Sequence, residues 1–331
     1  MTSGEKLTLL SAKFIQQQMD STLVTKGSGF DIVGDIHGHA DALERLLARL
    51  GYTDSGDGYS HPSRQIIFVG DFIDRGPQQS EALAIARNMC SKGSALAVLG
   101  NHEFNAIGWA TSDGNGGFLR PHTSKNQTQH RAFLDQLKEG STAYRSAIDW
   151  FRTLPVYLDL NGLRIVHACW HQQSLDLLRP HLDPQNCFTK AGFLAANARG
   201  SAASTAAEIV LKGPEVALPP NVSFFDKDGH ERRETRIKWW DGAATTFRLA
   251  AIGVDPDVLP DTPIGSDYAY GASKPVFFGH YWLRGTPVLT SPDAACLDFS
   301  VARAGYLTAY RWTGEINLNA ENLVAVPAAP G

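Results

Sequence analysis

The sequence contains few cysteines for its length. Four occur among 331 residues, and no two of them form a Cys-x-x-Cys pair. We therefore expect neither a zinc knuckle nor a thioredoxin-type motif. Four cysteines in a chain of this size do not make a disulfide framework, which fits a reducing compartment and predicts a cytoplasmic protein.

Long apolar stretches are missing as well. No uninterrupted apolar run approaches the roughly 18 residues required of a membrane-spanning helix. The first residues, MTSGEKLTLLSAKF, lack the basic start and apolar core of a signal peptide. We expect no membrane partner.

Charge is balanced, and two nucleotide-binding motifs are absent. Charged residues make up 19% of the chain and the formal net charge is -4, so no nucleic-acid partner is expected. A slightly acidic protein that binds phosphate needs local positive charge, which bound metal ions would supply. The absence of GxGxxG and GxxxxGKS/T disfavours a simple dinucleotide-binding module.

The chain does have enough apolar residues for a substantial core, 43% of its length. Apolar runs at 30–33, 65–69 and 95–99 alternate with helical patterns at 40–50 and 80–91. In the first helix the apolar residues recur at the i, i+3, i+4, i+7 spacing of a buried face. This β-α-β-α-β order predicts a parallel sheet with right-handed crossovers.

The second half of the chain is organised differently. Later strands are predicted at 163–166, 275–278, 295–299 and 306–312, the last two as an antiparallel pair. Residues 1–28 form a predicted N-terminal extension and 29–331 a single domain. Within it, the stretch at about 185–265 begins as Ala-rich helices and continues as a hairpin with Asp228-Gly229 at its turn. We interpret this stretch as an insertion or cap.

Five polar motifs stand just after predicted strands. They are GDIHG at 34–38, GDFIDRG at 70–76, GNHE at 100–103, His167 and His280. Alone, each is weak evidence, because an Asp-x-His pair is often a surface loop and a lone His after a strand is more often structural. In open α/β sheets, however, ligands bind at the carboxyl ends of strands. Five motifs at five such ends predict one shared site.

The residue types in these motifs suit a metal centre. Asp35 and His37 are two residues apart, so both side chains point the same way in extended chain. A carboxylate with a neutral imidazole suits a first-row divalent metal. Asp71 offers a carboxylate that can bridge two ions. Candidate ligands for the second ion are Asn101, His167 and His280.

In type and order, these motifs resemble the PPP family of metallophosphoesterases, which covers Ser/Thr protein phosphatases and symmetrical diadenosine tetraphosphate hydrolases. The resemblance covers about residues 30–315. It implies a calcineurin-like α/β fold of the α+β sandwich type, in which two mixed β-sheets are flanked by helices. It also implies two divalent metal ions, of which Mn is expected first and Fe, Zn or Co suit the same donors.

The resemblance assigns the metal ligands residue by residue. The first ion is held by Asp35, His37 and Asp71, and the second by Asp71, Asn101, His167 and His280. A water or hydroxide between the two ions then attacks phosphorus in line.

The resemblance also assigns the acid and the phosphate contacts. His102 protonates the leaving oxygen and is oriented by Asp74, while Arg75 grips the phosphate as a planar fork. A second phosphate-binding arginine does not align, and its candidates are Arg232, Arg233, Arg236 and Arg248. Arg236 is preferred because a Trp-Trp-Asp segment follows it. The predicted substrate-binding residues are thus Arg75, Asn101 and Arg236.

The motifs point to two different substrates. Asp74 completes GDxxDRG, the form typical of protein phosphatases, whereas FGHYW at 278–282 is similar to a segment of diadenosine tetraphosphate hydrolases. We expect an enzyme that hydrolyses phosphate monoesters, such as phosphorylated Ser or Thr in a protein or peptide, or a small phosphate ester. The alternative substrate is a dinucleoside polyphosphate.

Two further alternatives concern the insertion and catalysis itself. The arginines at 232–236 and the tryptophans at 239–240 form either a polyphosphate- and base-binding surface or a solvated hairpin whose tryptophans pack on the body. A non-catalytic phosphate-binding scaffold is a minor alternative, because a degenerate member would lack a ligand or the acid, and this chain lacks none.

Overall fold

The computed structural model describes residues 29–225, 230–271 and 273–329. The predicted extension at 1–28 and the predicted Asp228-Gly229 turn lie outside these residues. Within the described ranges, no helix is both long and apolar enough to cross a membrane.

The strands and helices of the described chain follow in sequence order. Strands β1 to β16 are Gly29–Val33, Thr53–Asp54, Tyr59–Ser60, Arg64–Phe68, Ala95–Ala97, Tyr157–Asp159, Arg164–Val166, Glu215–Ala217, Phe224–Phe225, Glu231–Arg232, Glu234–Arg236, Val276–Phe278, Ala294–Cys296, Asp298–Phe299, Tyr306–Trp312 and Leu323–Pro327. Helices α1 to α9 are Ala40–Leu50, Gln79–Ser91, Asn101–Trp109, Ser124–Leu137, Thr142–Phe151, Gln172–Leu178, Lys190–Asn197, Ala202–Lys212 and Phe247–Ala250.

The larger sheet contains the three strands predicted to be parallel. Its order is β14-β15-β1-β4-β5, and β16 also pairs with β15. β1, β4 and β5 are parallel, whereas β15 runs antiparallel to β1. The predicted parallel core is therefore confirmed, with an antiparallel half added beside it.

The second sheet is mixed as well. Its order is β13-β12-β7-β6, in which β13, β12 and β7 are parallel and β6 is antiparallel to β7. The predicted fold class, two mixed sheets flanked by helices, is confirmed.

Alternate side chains of the central strands are buried on opposite faces. Ile32, Ile67 and Phe277 belong to one apolar cluster shared by both sheets, so they fill the interior of the sandwich. Their neighbours Val33 and Phe68 belong to a second cluster that includes the helices. Strands buried on both faces are expected to be largely apolar. This explains the consecutive apolar residues at the ends of β1 (Ile32 and Val33) and β4 (Ile66, Ile67 and Phe68).

The stretch at about 185–265 has the predicted kinds of element. It contains helices α7 and α8 and the antiparallel strand pairs β8–β11 and β9–β10. Whether it is an insertion or cap within one domain at 29–331 stays a prediction.

The two tryptophans of this stretch pack on the body of the protein. Trp239 is 1% exposed and Trp240 is 4% exposed, and both rings contact Phe278. Trp239 Nε1 donates hydrogen bonds to the Ala168 carbonyl and to Tyr281 Oη, each at 2.9 Å. A base-stacking role for these rings is therefore wrong, because neither ring has a face open to a ligand.

A buried carboxylate fixes β1 against its neighbours. Asp31 Oδ1 lies 2.9 Å from Arg64 Nη2 and 3.1 Å from Arg311 Nε, and Tyr52 Oη donates to Asp31 at 3.1 Å. These partners come from β4, β15 and the chain after α1. One side chain thus links three parts of the larger sheet and its helix layer.

We predict that Asp31→Ala lowers the free energy of unfolding by about 3–5 kcal/mol, because it leaves the guanidinium of Arg64 buried without a counter-charge. Urea unfolding measures the change. Asp149→Ala is the matched control, since its 2.9 Å pair with Arg152 is on the surface and is expected to contribute at most about 1 kcal/mol. Equal losses in the two variants would contradict the role given to Asp31.

Candidate metal centre

The predicted site residues follow the carboxyl ends of five strands. β1 and β4 lead into the loops that contain Asp35 and Asp71, and β5 leads to Asn101, the first residue of α3. β7 and β12 lead into His167 and His280. Parallel strands bring their carboxyl ends to one edge of a sheet, which is where α/β proteins bind ligands.

The backbone at this edge is held in an uncommon conformation. Positive φ angles occur at His37 (46°), Asp71 (53°), Asp74 (69°), Arg75 (74°), His280 (75°) and Trp282 (54°). Non-glycine residues rarely adopt this left-handed region, and for a bulky residue it is an outlier. Strained residues persist where surrounding contacts impose them, and they cluster at functional sites.

Asp71 lies at the centre of the predicted ligands. Its Oδ2 atom is 3.4 Å from His167 Nε2 and 3.7 Å from His37 Nε2. Two groups of side chains with metal-ligand spacing share it, their donor atoms lying within 4.8 Å of one another. These groups are His37, Asp71 and His102, and Asp71, His167 and His280.

Asn101 joins the second of these groups. Its Oδ1 atom is 3.0 Å from His167 Nε2 and 2.7 Å from His280 Nδ1. His167 Nδ1 donates to the Val69 carbonyl at 2.8 Å. That hydrogen bond fixes the tautomer, so the lone pair of Nε2 faces Asp71 and Asn101.

Several donor atoms at this edge fit a divalent metal ion. Asp35 Oδ1, His37 Nε2 and His280 Nε2 are buried, and none has a hydrogen-bond partner among the described residues. His37 Nδ1 donates to the Ile73 carbonyl at 2.9 Å, which leaves Nε2 as an acceptor. Carboxylate oxygens and neutral imidazole nitrogens are ligands of first-row divalent metals.

Negative charge is concentrated in the same volume. Burial, and then the charges of Asp298 and Asp71, raise the pKa of Asp35 well above its usual range. Burial and the charge of Asp71 raise the pKa of Glu103 to about 7, and burial raises the pKa of Asp298 to about 6. A divalent cation among these groups reverses the repulsion and favours their ionised forms.

His102 is hydrogen-bonded to Asp74, and a second histidine, His130, binds the same carboxylate. His102 Nδ1 lies 2.5 Å from Asp74 Oδ2, and His130 Nδ1 lies 2.8 Å from Asp74 Oδ1. Burial opposes ionisation of Asp74, but the charges and hydrogen bonds of His130 and His102 outweigh it and hold the pKa of Asp74 far below its usual value. Both carboxylate oxygens of Asp74 are therefore fixed.

Sequence reasoning missed His130 because it belongs to no motif. The available signal was its position in α4, on the face that also contains Phe133 and Leu137. These residues stand three and seven positions later, at the spacing of a buried helix face. A polar residue on such a face needs a buried partner, which here is Asp74.

Glu103 has a role that the motif alone does not indicate. Its carboxylate accepts backbone N–H groups of Asp71 at 2.8 Å, Phe72 at 2.9 Å and Gly100 at 3.2 Å. The side chain is fully buried. It holds the loops after β4 and β5 against each other.

The predicted phosphate-binding arginines differ in position. Arg75 is exposed, with its guanidinium carbon 5.5 Å from the ring centroid of Trp282. Arg236 pairs with Glu215 at 3.3 Å, yet burial followed by the charge of Arg236 lowers the pKa of His280. The charge of Arg236 thus acts on one of the candidate ligands.

The other candidate arginines lie elsewhere in the stretch at about 185–265. Arg233 pairs with Glu231 at 2.9 Å, Arg248 donates to the Leu259 carbonyl at 3.2 Å, and Arg232 lies in β10. The contacts of Arg233 and Arg248 do not involve the candidate ligands.

With this fold and site, the chain belongs to the calcineurin-like phosphoesterases. That family matches residues 29–194, which is half of the chain. The predicted resemblance to metallophosphoesterases of the PPP type is confirmed, and the predicted enzyme class agrees with the description of this family. The family uses divalent metals, in agreement with the candidate ligand groups around Asp71.

Two relatives of this chain are named as bis(5'-nucleosyl)-tetraphosphatases. The asymmetrical bis(5'-nucleosyl)-tetraphosphatase PrpE of Oceanobacillus iheyensis is 31% identical over 139 residues, 42% of this chain and 54% of its own. The chain thus spans about half the length of that relative. The symmetrical bis(5'-nucleosyl)-tetraphosphatase of Janthinobacterium sp. is 27% identical over 307 residues, 85% of this chain and 92% of its own.

Among solved structures, a protein serine/threonine phosphatase from Saccharomyces cerevisiae with similarity to human phosphatase PP5 overlaps 98% of this chain and 90% of its own. Its TM-score is 0.47 and its sequence identity 13%. A similarity at this level supports no functional conclusion.

We predict that Gly279→Ala weakens binding of a divalent ion about 10–100-fold, the usual cost of disturbing the support of a ligand. A Cβ at position 279 would lie 1.8 Å from Asp35 Oδ1 and displace that carboxylate. Calorimetric titration with Mn²⁺ measures the affinity. In the control Gly242→Ala, the added Cβ meets nothing within 4 Å. Unchanged Mn²⁺ affinity in Gly279→Ala would overturn the assignment of Asp35.

Proposed function

We propose that this chain hydrolyses phosphate esters with two divalent metal ions, and that Asp71 contacts both. The observation that carries this proposal is the position of the Asp71 carboxylate, which is common to both groups of donor atoms. The proposed ligands are Asp35, His37, Asp71, Asn101, His167 and His280.

Two bound divalent ions would polarise the phosphoryl oxygens and lower the pKa of a bound water. The protein's own residues do the rest. Arg75, exposed at the edge of the site, binds phosphoryl oxygens through its planar fork. Arg236 is the proposed second phosphate contact, because its charge acts on His280.

His102 is the proposed general acid. Its Nδ1 is engaged by Asp74 at 2.5 Å, so Nε2 is the atom directed toward the ligands, 3.9 Å from Asp71 Oδ2. A proton at Nε2 is in position for an oxygen that leaves from phosphorus. His130 holds the opposite oxygen of Asp74 and so keeps the His102 ring in one orientation.

For the substrate we propose a dinucleoside polyphosphate. This was the alternative expectation from the sequence, and the names of the relatives now support it. One of them is named a symmetrical bis(5'-nucleosyl)-tetraphosphatase. Its alignment with this chain covers 85% of this chain and 92% of the relative.

A phosphate monoester, such as phosphorylated Ser or Thr, is the second candidate. The observation that favours it is the 2.5 Å hydrogen bond between His102 and Asp74. An alkoxide leaving group must be protonated, whereas a nucleotide leaving group needs little help from an acid. A firmly oriented acid therefore contributes more to the hydrolysis of an alkyl phosphate monoester than to the release of a nucleotide.

We expect the purified chain loaded with Mn²⁺ to hydrolyse diadenosine tetraphosphate faster than a phosphoserine peptide, judged by kcat/KM. Removal of the metal with a chelator should abolish both activities, and Mn²⁺ should restore them. A higher kcat/KM for the peptide would make the phosphate monoester the first proposed substrate and the dinucleoside polyphosphate the second. Activity that survives complete metal removal would refute the proposed function.

We predict that His102→Asn lowers kcat about 10²–10⁴-fold on an alkyl phosphate, the typical contribution of a positioned acid. The loss on 4-nitrophenyl phosphate should be smaller, because nitrophenolate leaves without a proton. Metal content, measured by elemental analysis, should not change.

His130→Leu should also lower kcat more on an alkyl phosphate than on 4-nitrophenyl phosphate, but by a smaller factor than His102→Asn. His130→Asn should remain closer to wild type, since its amide offers a donor to the same Asp74 oxygen. Equal losses on both leaving groups would show that these histidines do not act through proton donation.

A further inference from the structure

Trp282 lies beside His37, one of the candidate metal ligands. Its ring centroid lies 5.4 Å from that of His37, and the side chain is only partly buried. Its backbone has φ 54°, an outlier for a bulky residue. The Trp282 N–H donates to Asp298 Oδ2 at 2.7 Å, which holds this conformation.

Two arginines lie over this ring. The guanidinium carbon of Arg303 is 4.6 Å from the ring centroid, and that of Arg75 is 5.5 Å from it. Both distances are within the range of a cation–π contact. Both arginines are exposed, and among the described residues neither has a carboxylate partner within ion-pair distance. Two uncompensated positive charges therefore flank one aromatic ring beside a metal ligand.

The loop that contains Arg303 is built to stay near Trp282. Asp298 is buried and accepts the Ser300 N–H at 2.9 Å with its other oxygen, Oδ1. Ser300 Oγ donates to the Leu283 carbonyl at 2.9 Å. Asp298 and Ser300 thus bind the two loops to each other, so the position of Arg303 over the ring does not depend on the cation–π contact alone.

We propose that Arg303 and Trp282 form a subsite for a second phosphate of the substrate, next to the phosphate held at the metal ions and Arg75. The inference rests on the proposed function and narrows its substrate to compounds with a phosphoanhydride chain. A guanidinium fork matches the oxygens of such a phosphate. Trp282 supports the fork from below and excludes water from one side of it.

The test compares kcat/KM for diadenosine tetraphosphate and for 4-nitrophenyl phosphate, which has only one phosphate. Arg303→Gln should lose about 10–100-fold on the tetraphosphate, the value of a charge-assisted hydrogen bond, and less than about twofold on the aryl phosphate. Arg303→Lys should recover only part of the loss, because lysine lacks the fork. Arg284→Gln, an exposed arginine on the Trp282 loop, is the matched control and should match wild type on both substrates.

A second measurement separates failure of the subsite from failure of the proposed function. Calorimetric binding of inorganic tripolyphosphate to the Mn²⁺-loaded chain requires no turnover, and Arg303→Gln should weaken it about 10-fold or more. If wild type hydrolyses neither substrate, the proposed function fails. The difference in tripolyphosphate affinity between wild type and Arg303→Gln then decides whether the subsite exists. Equal tripolyphosphate binding in wild type and Arg303→Gln, or equal losses on both substrates, would overturn the inference.

Discussion

The arrangement of this site depends on one buried carboxylate, that of Glu103. It accepts backbone N–H groups from the loop after β4 and the loop after β5. These bonds set Asp71 and Asn101 beside each other, and Asp71 Oδ1 in turn accepts the His102 N–H at 3.0 Å. The donor atoms of these candidate ligands are therefore positioned by main-chain contacts.

The same carboxylate creates a charge problem. Asp71 is close enough to help raise the pKa of Glu103 to about 7, and it also acts on Asp35. Neutralising this cluster by protonation would weaken the hydrogen bonds that shape the loops. Cations bound at the candidate ligands would remove both difficulties, and binding of metal would then be thermodynamically linked to the stability of this end of the sandwich.

Much of this arrangement could be predicted from the sequence, because it follows from strand order. Parallel strands bring their carboxyl ends to one edge, so motifs that follow strands meet even when they are distant in the chain. The predicted strand at 295–299 shows the limit of this reasoning. It is two strands, β13 and β14, which belong to different sheets and are separated at Leu297. A continuous apolar run contains no sign that the chain crosses between sheets.

The residues that sequence reasoning missed or misjudged depend on packing between distant elements. His130 reaches Asp74 only because α4 packs beside α2. Arg303 meets Trp282 only because Asp298 joins their loops. Trp239 and Trp240 follow arginines in the sequence, which left both a binding surface and packing on the body open, and their rings are turned into the core. Neighbours in sequence do not reveal which side chain faces solvent.

The pairing of β1 with β15 has a consequence for synthesis of the chain. β1 begins at Gly29 and its antiparallel partner ends at Trp312, so the ribosome must reach residue 312 before the larger sheet can close. Until then the nascent chain exposes an unpaired apolar edge at β1, and Asp31 has no Arg311 to bind. Such edges invite association with other chains. We therefore expect this protein to depend on chaperones during translation far more than after release, when β15 covers the edge permanently.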